Sequence, residues 1–270
     1  MENIKLWDKT PMFDESIDQK EPTLIPYTVE GENKPAIIVC PGGAYCFKAY
    51  DNEGFAPAEW IQSIGINAFV LDYRVEPYRH PCPLMDLQRA IRYLRYHAKE
   101  LGIDPNKVGV MGFSAGGHLA GSASVHFDEC FCPVDDIDKE ICRPDYSILC
   151  YPAVSADREF GHQHCFEILF GKESSQYDSY RYYCLEKNIT PDVPPTFIWH
   201  TSQDDCVDVE NVYVLASSLS KNKVPVELHV YPFGPHGAGT ADGNKCIDDP
   251  YLNQWTKSCE SWLKTVAKVF

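Results

Sequence analysis

Short runs of apolar, β-branched residues, each closed by a turn residue and followed by a helical pattern, constrain the fold of this chain more than any other feature. Residues 36–40 (Ala-Ile-Ile-Val-Cys) end at Pro41-Gly42-Gly43, and residues 67–71 (Asn-Ala-Phe-Val-Leu) end at Asp72. Residues 108–111, 147–151, 196–199 and 226–230 repeat the pattern. Continuous apolar runs read as strands buried on both faces, which is how parallel sheets are written. Between them, Leu84, Leu87, Ile91, Leu94, Ala98 and Leu101 recur at helical spacing. They predict one amphipathic helix that stops at Gly102, with Arg89, Arg92 and Arg95 on its other faces. Helices are also predicted over 211–220 and 248–269, and an antiparallel edge strand over 23–29. The alternation implies an α/β fold: a mostly parallel central sheet with helices on both faces.

Residues 112–116, Gly-Phe-Ser-Ala-Gly, match G-x-S-x-G and lie between the apolar run 108–111 and a small-residue helical segment over 115–124. A serine hydroxyl is a weak nucleophile unless it is held exposed beside a base. A strand turning sharply into a helix holds it so, and the flanking glycines remove the Cβ atoms that such a turn would crowd. The pentapeptide alone is common, and its strand-before, helix-after setting is what gives it weight.

A serine nucleophile needs a base, the base needs an orienting carboxylate, and the developing oxyanion needs donors. The run 196–199 leads into His200-Thr201-Ser202-Gln203-Asp204-Asp205-Cys206-Val207. Asp204 is the first choice of acid, with Asp205 and Asp208 as alternatives; the plainer role for all of them is capping a helix near Val209. Among nine histidines, His236 follows the last strand within Gly234-Pro235-His236-Gly237 and is the candidate base. His118 sits one helical turn past Ser114 and is read as packing or capping. His200 closes a strand and is a candidate to line the site, while His97 belongs to the amphipathic helix. The small-residue turn Pro41-Gly42-Gly43-Ala44-Tyr45, with Ala115 after the nucleophile, is the candidate source of oxyanion donors, helped by the positive end of the following helix.

The net charge of −15 argues against nucleic acid and anionic membranes as partners. No run reaches the roughly 18 apolar residues of a membrane span, and residues 1–5 show no signal-peptide pattern. A cytoplasmic location with reduced thiols is therefore expected for the 12 cysteines; Cys40, Cys150 and Cys184 lie in or beside apolar or aromatic segments, where free cysteine packs as a small hydrophobe. Cys130, Cys132, Cys142, His162, His164 and Cys165 suggest zinc but lack paired C-x-x-C spacing, so no metal or other cofactor is expected. No repeat or linker divides the 270 residues, so one domain over 1–270 is expected. The aromatic segment at about 156–195 (Phe160, Phe166, Phe170, Tyr177, Tyr180, Tyr182, Tyr183) is read as a short lid-like insertion across the strand ends, where ligands bind in open α/β sheets.

Residues 40–45, 69–75, 112–119, 194–201 and 234–237 together resemble the α/β-hydrolase superfamily, and within it the bacterial carboxylesterases similar to acetyl esterases and acetylxylan esterases. The resemblance implies Ser114 as nucleophile, His236 as general base, Asp204 as its partner, and Gly43 and Ala44 in the oxyanion turn. Pro41 stands where many relatives begin H-G-G-G with histidine, and Ala44 replaces the third glycine; the backbone donors survive both changes. The implied substrate is a small, O-acetyl ester on a neutral carbohydrate such as a xylo-oligosaccharide, and a cytosolic address implies short imported oligosaccharides. Tyr45, Tyr50 and Tyr73, with Phe47, cluster near the oxyanion turn and are candidate sugar contacts, though packing explains rings there equally well. Glu53 and Arg74 are polar candidates for substrate or for an internal ion pair. A prolyl-oligopeptidase-like peptidase and an inactive binding protein of the same fold are the alternatives, and homo-oligomers remain open.

Overall fold

The structure is a computed structural model that describes residues 2–129, 131–171 and 180–270. Their strands form one eight-stranded sheet in the order β1-β2-β4-β3-β5-β6-β7-β8. β1 is Ile4–Lys5, β2 Thr23–Tyr27, β3 Lys34–Cys40, β4 Asn67–Asp72, β5 Ile103–Phe113, β6 Ser147–Cys150, β7 Thr196–Thr201 and β8 Val226–Tyr231. β1 and β2 run antiparallel at one edge, and every pairing from β4 through β8 is parallel. This is the mostly parallel sheet that the apolar runs predict; the strand predicted over 23–29 is β2, antiparallel as expected but second from the edge, because β1 pairs along its outer side.

Helices cover both faces. α1 is Ala56–Ser63, α2 Cys82–Tyr96, α3 Ala98–Leu101, α4 Ala115–Val125, α5 Gln163–Phe170, α6 Glu210–Lys221 and α7 Gln254–Thr265. Alternate β3 residues serve opposite sides: Ala36, Ile38 and Cys40 pack with Leu87 and Ile91 of α2 and Leu215 of α6. Ile37 and Val39 pack with Ile61 of α1 and Trp255 and Trp262 of α7. Burial on both faces is why these strands read as unbroken apolar runs. Among the described residues, no helix is long and apolar enough to cross a membrane.

The predicted helix over 84–101 is interrupted at His97 (φ −95°, ψ 16°), then ends at Gly102 in the left-handed region, φ +66°. Its arginines are not a solvated face. Arg89 donates to Asp135, Arg92 to the Glu140 carbonyl and Arg95 to the Arg143 carbonyl, so this side of α2 anchors the segment that follows α4. The predicted 248–269 helix shortens to α7, because the Asp249 carboxylate takes the Tyr251 and Leu252 N–H groups into a turn first. α1 and the π-helical turn Asp51–Phe55 before it have no counterpart in the sequence reading.

The parallel registers align the carboxyl ends of the central strands: Cys40 faces Gly112, Phe113 faces Cys150, and Cys150 faces Trp199. The Pro-Gly turn, Ser114 and the loops after β7 and β8 therefore leave the sheet along the same edge. In the aromatic segment, Cys165, Phe166, Leu169 and Tyr180 are buried in the core, whereas the Tyr182 ring is exposed; Tyr177 lies outside the described residues.

Candidate active site

Ser114 sits between β5 and α4 with φ 52° and ψ −120°, a conformation that costs a non-glycine residue about 1–3 kcal/mol. The surrounding backbone holds it there. Its N–H donates to the Cys150 carbonyl at 3.0 Å, and its own carbonyl accepts from His118 and Ala153. A Cβ on Gly112 would lie 2.0 Å from the Gly116 oxygen, and one on Gly116 would lie 2.1 Å from the Cys40 oxygen. The flanking glycines are thus required by close backbone approach, as the strained turn predicts.

Ser114 Oγ lies 2.8 Å from His236 Nε2, and His236 Nδ1 lies 2.7 Å from Asp204 Oδ2. The carboxylate side chain is 1% exposed. Its other oxygen accepts the N–H groups of Cys206 and Val207 at 2.9 and 2.8 Å. Asp204 therefore caps its loop with Oδ1 and faces the imidazole with Oδ2. Burial alone would raise its pKa, but the hydrogen bond and charge of His236, with the backbone donors, outweigh burial and lower it. An ionised Asp204 accepts a hydrogen bond from Nδ1–H, which keeps the ring proton on Nδ1 and leaves Nε2 as a bare acceptor for the serine hydroxyl. The alternatives point elsewhere: Asp205 is exposed, and Asp208 accepts the Glu210 N–H at 2.8 Å.

The Pro-Gly turn stands beside the serine. The Gly43 carbonyl accepts from Cys46 and Phe47, and the Gly42 carbonyl accepts from Ala49, which folds the turn tightly. Gly43 has φ +125° and Ala44 φ +53°, and their N–H groups make no hydrogen bond among the described residues. Ala115 opens α4, where an N–H has no preceding helical turn to bond.

A cavity of about 280 Å³ lies over Ser114 and His236, lined also by Gly43, Ala44, Phe47, Asn52, Glu53, His162 and Cys206. Tyr45, Tyr50 and Tyr73 do not line it, which corrects their expected role as sugar contacts. Tyr45 is 1% exposed with its OH on His118 Nδ1 at 2.8 Å, and Tyr73 is wholly buried and donates to the Pro41 carbonyl at 2.6 Å. Tyr50 donates to Asp72 and stacks on Phe55. These hydroxyls find partners inside the protein, so the rings brace the turn from behind. His200, expected to line the site, is also wholly buried and absent from the cavity wall. Its Nδ1 accepts the Thr201 N–H at 2.9 Å, and its Nε2 lies 4.0 Å from Asp204 Oδ2. Burial pushes its pKa down. Of the rings expected near the substrate, Phe47 alone reaches the cavity, 60% exposed at its mouth.

Glu53 and Arg74 do not pair with each other. Arg74 forms a fully buried ion pair with Asp86, Nη2 to Oδ1 at 2.6 Å. Glu53 accepts the Gly42 N–H at 2.8 Å and the Tyr151 hydroxyl at 2.9 Å. His162, Cys206 and Asn52 went unnoticed as cavity residues, because nothing local in the chain marks them. His162 caps α5 through Nδ1, and its Nε2 faces the Cys206 thiol at 3.6 Å. Cys130 of the suggested zinc cluster lies outside the described residues; among those described, no group of three His, Cys, Asp or Glu side chains could hold a metal ion.

Residues 24–140 match the BD-FAE family model, and residues 152–264 match that of the prolyl oligopeptidase family. The chain is 42% identical to the acetyl ester-xyloside bifunctional hydrolase from Caldicellulosiruptor lactoaceticus, covering 98% of this chain and 96% of that one with a TM-score of 0.91. The chain belongs to the α/β-hydrolases. This α/β-hydrolase is also 36% identical over 258 residues to endo-1,4-beta-xylanase B of Butyrivibrio fibrisolvens, covering 92% of the chain and 39% of that protein. It is 30% identical over 257 residues to the acetylxylan esterase of Xylanibacter ruminicola, covering 92% of the chain and 49% of that protein. The chain thus spans less than half the length of these curated relatives.

Proposed function

We propose that this α/β-hydrolase is a serine carboxylesterase that removes small acyl groups, chiefly O-acetyl, from neutral carbohydrates such as xylo-oligosaccharides. The observation that carries this reading is the continuous line Ser114 Oγ–His236–Asp204, held beside unengaged backbone donors. His236 takes the Ser114 proton as Oγ attacks the ester carbonyl. The N–H groups of Gly43, Ala44 and Ala115 stabilise the oxyanion, and protonated His236 then gives its proton to the departing alcohol. Water, activated by the same imidazole, releases the acid from the acyl-enzyme. No metal or organic cofactor enters these steps. The acetyl ester and acetylxylan activities for which the relatives are named, and the exposed Phe47 ring, able to stack on a sugar face, support the substrate class. We place the activity in one domain over 1–270, in the cytoplasm; free thiols such as Cys46 and exposed Cys206 favour a reducing compartment.

The test compares hydrolysis of p-nitrophenyl acetate, and acetate release from acetylated xylo-oligosaccharides, by wild type and Ser114→Ala. Equal rates would sink the mechanism, and acetate release no faster than from unrelated acetates would sink the substrate class. The match of residues 152–264 to the prolyl oligopeptidase family favours a second reading, aminoacyl hydrolysis, which an aminoacyl-p-nitroanilide assayed beside the ester separates.

A further inference from the structure

The π-helical turn Asp51–Phe55 places a carboxyl group under the active site. Glu53 is 3% exposed, and its partners are backbone and phenol donors. A buried acidic group with no cation is costly unless both oxygens are satisfied. Here they are: Oε2 accepts from Gly42 in the oxyanion turn and Oε1 from the Tyr151 hydroxyl. The Tyr151 oxygen in turn accepts the Gly239 N–H at 2.9 Å, and Gly239 closes the loop that carries His236. The Tyr151 ring also packs edge-on to the His236 imidazole, with centroids 5.0 Å apart. Asn52, next to Glu53, donates to the Gly237 carbonyl at 2.8 Å.

The direction of these bonds matters. The Tyr151 hydroxyl donates to Glu53 Oε1 while its oxygen accepts the Gly239 N–H. Glu53 must then accept at both ends. An amide of the same shape offers an acceptor at only one end and meets either Gly42 or Tyr151 with a donor. The Pro-Gly turn and the His236 loop leave different strands, β3 and β8, and share no strand pairing. The carboxylate bridges them.

Resting on the acyl-transfer reading above, we infer that Glu53 is a positioning residue. Acting through Gly42 on one side and through Tyr151 and Gly239 on the other, it holds the oxyanion donors and His236 at a fixed separation around Ser114. Glu53 meets the cavity with only 3% of its surface exposed, and what the bridge fixes is the geometry of the reacting groups.

The test uses the full chain as wild type, Glu53→Gln, Tyr151→Phe and the double variant, with p-nitrophenyl acetate as substrate and the folded fraction measured by near-ultraviolet circular dichroism. For folded protein, each single change is expected to lower kcat by about fivefold or more with KM within about threefold, as loss of a transition-state arrangement does. The double variant should be no slower than the worse single by more than about twofold, because both changes cut one chain of bonds. A smaller loss in kcat, a loss that falls on KM, a multiplicative double variant, or a loss equal to the missing folded fraction overturns the inference. If Glu53→Gln does not fold, Tyr151→Phe decides by the same criteria. Wild type no faster than Ser114→Ala would instead be a failure of the acyl-transfer reading.

Discussion

Replacing Asp204 by asparagine exchanges one carboxylate oxygen for an NH2 group of the same size, and the structure dictates which one. Oδ1 accepts from the N–H groups of Cys206 and Val207, so a donor placed there would confront two donors. Each such confrontation costs about 1–3 kcal/mol. The asparagine oxygen therefore stays on the loop, and its NH2 faces His236 Nδ1. That nitrogen must then accept, the ring proton moves to Nε2, and Nε2 presents a hydrogen to Ser114 Oγ instead of a lone pair. The same tautomer reversal in serine proteases lowers kcat by about 10⁴, equivalent to about 5.5 kcal/mol of barrier. Because the loop cap survives, the fold should persist, with a melting temperature within a few degrees of wild type. Steady-state hydrolysis of p-nitrophenyl acetate at pH 7, beside thermal unfolding, reads both quantities. A folded Asp204→Asn variant that keeps more than about a tenth of wild-type kcat would refute the reasoning.

Gly116→Ala should destabilise by about 3 kcal/mol or more, seen in urea unfolding, since its Cβ would press on the Cys40 and Pro41 carbonyls, which belong to backbone and cannot swing away. Arg74→Met should cost about 3–5 kcal/mol by the same assay, because it strands the buried Asp86 charge; adding Asp86→Leu should recover much of that loss. Burial holds the pKa of His118 down to about 4, with Nδ1 on the Tyr45 hydroxyl and Nε2 on the Tyr183 carbonyl. The unfolded chain takes this proton near pH 6.5 and the folded protein only near pH 4, so the stability is present above pH 6.5 and lost as pH falls through that window. The loss approaches about 1.4 kcal/mol per pH unit. His118→Gln should flatten the unfolding free energy over this window by that slope, and an unchanged slope would refute the assignment.

The β-branched runs announced the sheet because strands covered on both faces have no polar side to show, and the glycines around Ser114 announced the elbow because only they tolerate its contacts. α1 and the π-helical turn before it escaped notice: they are short, carry Pro57 in the first turn of α1, and bury residues on more than one side. Reading the rings at 45, 50 and 73 as sugar contacts failed for a related reason. An aromatic side chain near a strand end looks the same in the sequence whether it faces solvent or the core, and here partners such as His118, Pro41 and Asp72, distant in the chain, take their hydroxyls inward.

By itself, the sequence determined the alternation of strands and helices, the strained serine turn, and a short set of candidate acids and bases, all of which depend on residues within a few positions of one another. Only the tertiary structure decided that Asp204 rather than Asp205 or Asp208 meets His236, that Phe47, His162 and Cys206 line the cavity, and that Glu53 bridges two loops beneath it. The physical reason is that hydrogen bonding and burial at a sheet edge depend on strand order and register, which bring residues more than a hundred positions apart, such as Ser114 and His236, to within 2.8 Å.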